Sequence, residues 1–112
     1  MRARSLRIAV MLMVIGMFMP CLLIRHTVQD YTTWASVFDE HESTRRANGS
    51  QGSRLFRNAA NPNEILLLLE WDDLERARLF ADSDDLREAM TRAGVTDRPN
   101  IWFLEDVERP TV

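Results

Sequence analysis

Short aliphatic runs alternate along this chain with longer stretches in which apolar residues recur every three or four positions. Residues 19–28, MPCLLIRHTV, form an apolar run of strand length with Pro20 at its start, which predicts a buried β-strand. The next stretch places Tyr31, Trp34, Val37, Phe38 and His41 at helical spacings, with Asp30 positioned as N-cap and Gly49 as the stop. GSQGS then predicts a loop, RLFRNAA a second strand and NPN a turn, because proline fixes φ and asparagine tolerates left-handed backbone. EILLLLEW is almost continuously apolar, the pattern of a central strand buried on both faces.

Residues 72–94 predict a helix in two pieces. Asp72 and Glu75 have the D-x-x-E spacing of a capping box, and Ser83 recaps a second piece. Leu86, Ala89, Met90 and Ala93 give that piece one apolar face, and Gly94 ends it. NIWFLEDVE predicts the last strand. The order β-α-β-β-α-β is the split βαβ, ferredoxin-like arrangement: a four-stranded antiparallel sheet with the first and third strands central. Helices cover only one face of such a sheet, so its other face calls for a second copy, sheet against sheet.

Charge and composition narrow the classes of function. The 112 residues hold 14 basic side chains against 17 acidic ones, a net of −3. Arg2, Arg4 and Arg7 lie in the first 18 residues, which hold no acid, so the remainder is more acidic still. That balance argues against nucleic acid as a partner. Every basic residue is arginine, which excludes lysine Schiff-base chemistry. The single cysteine, Cys21, excludes an intrachain disulfide and a cysteine metal cluster.

Residues 1–18 combine a basic start with an apolar segment, in the manner of a signal or anchor. No small-x-small cleavage site follows, and a span of about 20 residues would have to absorb the predicted first strand. The expectation is a leader outside the fold, from an upstream start codon with Met19 the true first residue, and a domain over 19–112 in the cytoplasm. Membrane association or export through residues 1–18 is the alternative.

The combination of DYTTWASVFDEH, RLFRNAANPNEILLLLEWDDLERARLFADSDDLREAM and IWFLEDVE resembles the dimeric α/β-barrel superfamily. Within it, the chain is most similar to small antibiotic biosynthesis monooxygenase-like and cyclase-like proteins. The resemblance implies a homodimer whose two sheets face each other, with a pocket between sheet and helices in each subunit. It also implies oxygenation or cyclisation of aromatic, polyketide-like compounds, often without metal or flavin, so no cofactor is expected. Haem-degrading relatives use an Asn on the first strand, a Trp at the end of the third and a His on the second helix. Only Trp71 matches; Ile24 and Met90 occupy the other two positions, so haem degradation is not expected.

Among individual residues, His26 ends the first strand, where a neutral imidazole can act as general base on a phenol or enol. Trp34, Phe38, His41, Trp71 and Phe80 are the candidate wall of a pocket for a flat apolar ligand. A metal pair between His26 and His41 is not expected, since no further His or Cys could complete it. The acids of DSDD are explained by helix capping rather than by a cation. Arg25 lies on the sheet face opposite His26 by strand parity, where it pairs across a dimer interface or holds a substrate anion. Two functions follow: a cofactor-independent monooxygenase or cyclase, and a non-enzymatic homodimer that binds small hydrophobic ligands.

Overall fold

The computed structural model describes residues 19–107, so the expected leader over residues 1–18 lies outside the described residues. Strand β1 (Pro20–Thr27) leads into helix α1 (Tyr31–Glu40) and helix α2 (Glu42–Ala47). Strands β2 (Ser50–Asn58) and β3 (Asn61–Trp71) form a hairpin, and helices α3 (Leu74–Ala81) and α4 (Asp84–Arg92) precede strand β4 (Asn100–Glu105). The sheet is fully antiparallel in the order β2-β3-β1-β4, with β3 and β1 central as the aliphatic runs predict. This is the ferredoxin-like α+β fold, with each crossover built from two helices.

The core forms where alternate residues of the central strands meet the helices. Leu22, Ile24 and His26 of β1 lie beside Ile65, Leu67 and Leu69 of β3, all buried. Full burial of each aliphatic side chain contributes about 1.5–3 kcal/mol. Trp71 ends β3 completely buried, its indole Nε1 donating to the Asn48 carbonyl at 3.1 Å and its ring 4.8 Å from that of Phe80.

Several local expectations are corrected. β3 is buried on one face only within the chain: Leu66 and Leu68 are half-buried, because helices cover the other side alone. Residues of GSQGS belong to β2, since the long β3 offers a pairing edge that outweighs their turn preference, with an irregularity between Ser50 and Gly52. The hairpin turns at Ala59 and Ala60 rather than at NPN, and Asn58 Oδ1 accepts from Ala60 N at 2.8 Å to shape it. Pro62 instead falls in the strand beside a register shift, where its missing N–H leaves no gap in the ladder. Asp73, not Asp72, caps α3, accepting from the backbone of Glu75 and Arg76. Asp30 and Ser83 cap α1 and α4 as expected.

The first helical stretch loosens at His41. Its ladder nonetheless continues, with His41 N bonded to Val37 O and Arg45 N to His41 O, both at 3.0 Å. The register of one helical face therefore runs unbroken through α1 into α2. Gly49 follows at φ +119°, where a Cβ would meet the Asp72 carboxylate and the Trp71 indole.

Candidate functional site

The site grows from the stripe Trp34, Phe38, His41 and Arg45, at i, i+4, i+7 and i+11. These four side chains line a cavity between helices and sheet, together with His26 from β1 and Phe80 from α3. The water-sized space within is about 40 Å³, enough for a few waters, and the wall is otherwise apolar. Ile24 and Met90 form part of that apolar wall.

His26 is 2% exposed, and among the described residues neither ring nitrogen has a hydrogen-bond partner. Its ring stands edge-on to Trp34, with centroids 5.8 Å apart. Burial, the dominant cause, pushes the imidazole down from 6.5 to about 4; Asp97 opposes that shift weakly and Arg25 adds to it. At neutral pH His26 is therefore uncharged, with a lone pair and an N–H both unanswered. Leaving such groups buried costs about 1–3 kcal/mol each, an unusual expense in a core position.

His41 is held differently. Its Nε2 lies 2.9 Å from Asp85 Oδ2, and its ring packs 5.9 Å from that of Phe80. A carboxylate only accepts, so Nε2 is the donor in this contact. Trp34 and Phe38 stack nearly parallel on each other, 5.0 Å apart, and both line the cavity. Arg45 is 6% exposed, donates from Nη1 to the Phe38 carbonyl at 2.7 Å, and lies 3.7 Å from the Phe38 ring centroid.

Of the residues singled out from sequence, His26, Trp34, Phe38, His41 and Phe80 converge on one cavity. Trp71 does not: it supports Phe80 from behind as a core residue. Sequence reasoning missed Arg45, although it is the next member of the same helical stripe. Arg25 lies opposite His26 as strand parity requires, but it pairs within its own chain, with Glu64 at 2.8 Å and Asp97 at 2.9 Å. Those contacts, with Asn100 at 2.9 Å, hold the end of the sheet rather than a ligand. Among the described residues no three His, Cys, Asp or Glu side chains converge as a metal centre requires.

A ferredoxin-like sheet with a histidine-lined, mostly apolar cavity beneath paired helices defines a class of small α+β proteins. Residues 30–92, over half of the chain, match the antibiotic biosynthesis monooxygenase family, and the chain belongs to it. Solved structures agree on the fold. A candidate antibiotic biosynthesis monooxygenase from Bordetella bronchiseptica is similar with a TM-score of 0.66 and 18% identity, over 85% of this chain and 99% of that one. SnoaB, a cofactor-independent oxygenase from Streptomyces nogalater, is similar with a TM-score of 0.62 and 18% identity, over 85% and 97%. A conserved protein of Methanosarcina mazei Go1 is similar with a TM-score of 0.62 and 16% identity, over 78% and 91%. No curated protein matches the chain. Likeness at these identities speaks for the fold alone.

Proposed function

We propose that the chain is a cofactor-independent monooxygenase acting on an aromatic or polyketide-like small molecule, with His26 as its base. One observation carries this reading: both nitrogens of a buried histidine lie unanswered at the wall of an apolar cavity. A ligand hydroxyl donating to the bare nitrogen meets that need; because burial leaves His26 a weak base, with a value of about 4, the proton passes only from a strongly acidic enol whose anion stays paired with the imidazolium. The substrate anion itself then reduces oxygen. In the simplest case a methylene becomes a carbonyl, one oxygen atom staying on carbon and the other leaving as water. The protein contributes positioning between Trp34, Phe38 and Phe80, exclusion of water, and proton removal. Oxygen uptake with anthrones and hydroxynaphthalenes tests this: His26→Ala lowers turnover at least about tenfold, the scale of general-base catalysis, with the fold intact. Unchanged turnover removes His26 from the mechanism. Product formation without oxygen uptake points instead to cyclisation.

The assembly belongs to the same reading. We take the working form to be a homodimer, supported by the uncovered sheet face. There Phe56, Trp102 and Leu104 are 44%, 45% and 39% exposed, beside half-buried Leu23, Leu66 and Leu68. Among the described residues no helix is long and apolar enough to cross a membrane. We read the domain as cytoplasmic; N-terminal sequencing and fractionation of natively expressed protein test that placement and the start at Met19.

A non-enzymatic ligand-binding role is the alternative reading, and in either role the walls must part, because about 40 Å³ of water-sized space is too small for a fused aromatic ligand. Native mass spectrometry separates the two: a co-purified aromatic released unaltered in air supports binding alone.

A further inference from the structure

The charge inside the cavity is unbalanced. Arg45 is a guanidinium 6% exposed, yet among the described residues no carboxylate lies within salt-bridge distance of it. The nearby acids are engaged elsewhere or act only at a distance: Glu42 pairs with Arg46 at 2.7 Å, and Asp85 with His41 at 2.9 Å. Asp39 and Glu42 favour the charge from afar, while burial opposes it more strongly. Among the described residues the one hydrogen-bond acceptor that the Arg45 guanidinium meets is the Phe38 carbonyl. A buried cation with one neutral acceptor and an aromatic face is under-compensated, and a charged group in that state is expensive unless something anionic joins it.

Its position fits recognition better than scaffolding. Arg45 lines the histidine cavity and also a polar cleft outside it, between α2 and the start of β2, flanked by Arg46, Ser50 and Ser53. It thus stands between solvent and the interior. Stacking on Phe38 holds the guanidinium plane in place. His26, in the same cavity wall, is uncharged at neutral pH.

We propose that Arg45 is the specificity-determining residue of the cavity, selecting flat apolar ligands that carry an ionised oxygen acid over their neutral counterparts. The inference rests on the cavity being a ligand site, and it adds a substrate class: aromatic carboxylic acids, bound through the carboxylate. The fork of the guanidinium takes the anionic oxygens while the rings of Trp34 and Phe38 take the apolar body.

Calorimetric titration tests it with benzoate and benzamide, and with 2-naphthoate and 2-naphthamide, pairs differing in charge far more than in shape. Wild-type protein binds each acid at least about tenfold more tightly than its amide, as a charge-assisted bond in a low-dielectric site requires. Arg45→Met, which keeps the apolar stem over Phe38, loses that preference but still binds the amide, and Arg45→Lys retains part of it. Thermal melting establishes that the variants fold, and the wild-type comparison decides the matter without them. Equal binding of acid and amide by wild-type protein overturns the inference while leaving the cavity as a ligand site. A preference that survives in Arg45→Met overturns it too, by moving the anion to another group. If neither acid nor amide binds, the reading of the cavity as a ligand site fails and this inference falls with it.

Discussion

We assign to a ligand the two nitrogens that His26 leaves without partners among the described residues. An imidazole at 2% exposure with two unanswered nitrogens destabilises the fold, and an apolar side chain of similar size would not. His26→Leu should therefore raise thermal stability at pH 7, by about 1–2 kcal/mol, while removing turnover. A melting temperature below wild type would mean the ring is better satisfied than its geometry implies. Acid behaviour follows from the same burial. The folded-state value lies near 4 and the unfolded one at 6.5, so between these the unfolded chain binds more protons and stability falls as pH falls. The loss across that window is on the order of 3 kcal/mol, at about 1.4 kcal/mol per unit. Chemical denaturation of wild type and His26→Leu at pH 4.5 and 7 checks it, since the variant should lose this slope. His26 was legible in the sequence because a strand-terminal histidine invites notice. Arg45 was not, because a charged residue at a helical position reads as solvated surface unless the apolar stripe is followed through it. Trp71, at the strand end, lies outside the cavity wall, with its Nε1 bonded to the Asn48 carbonyl.

At the scale of elements, the decisive feature is the helical face that runs from Trp34 to Arg45 across the loosening at His41. It delivers two aromatics, a histidine and an arginine to one cavity without any loop. The strand order and the central pair were readable from aliphatic content, since central strands need apolar residues on both sides. Boundaries were less so. The start of β2 depends on a pairing edge far away in sequence, and the cap of α3 passed to Asp73 while Asp72 pairs with Arg76. Gly49 links these parts: with φ at +119° and no room for a Cβ beside Trp71 and Asp72, Gly49→Ala is strained. We expect it to cost about 1–3 kcal/mol, read from urea midpoints. A cost within error would show that this corner relaxes freely.

At the scale of the whole domain, one sheet face is packed and the other is open among the described residues. Each cross-strand row of the open face carries apolar side chains, Leu66 beside Phe56, Leu68 beside Leu23, and Leu23 beside Trp102. Patches of this kind mark an interface, and a second copy presenting the same face satisfies it with two-fold symmetry. Wild-type protein should sediment at twice the chain mass, and Leu68→Arg at the chain mass, because a like charge meets its symmetry mate. A dimer that survives Leu68→Arg would relocate the interface. This face was foreseeable in outline, as four strands with helices on one side leave the other bare. Its pairing with an internal ion cluster at Arg25 was not, because Glu64 and Asp97 lie far from Arg25 in sequence.

The account stands most directly on the state of one imidazole. With only two histidines in the sequence, the ¹⁵N imidazole resonances can be assigned and followed from pH 8 to pH 4. Burial in an unanswered site predicts that His26 stays neutral until close to pH 4, and that its nitrogen resonances move when 2-naphthoate is added. A His26 that titrates near 6.5, with resonances unmoved by that ligand, would contradict the account.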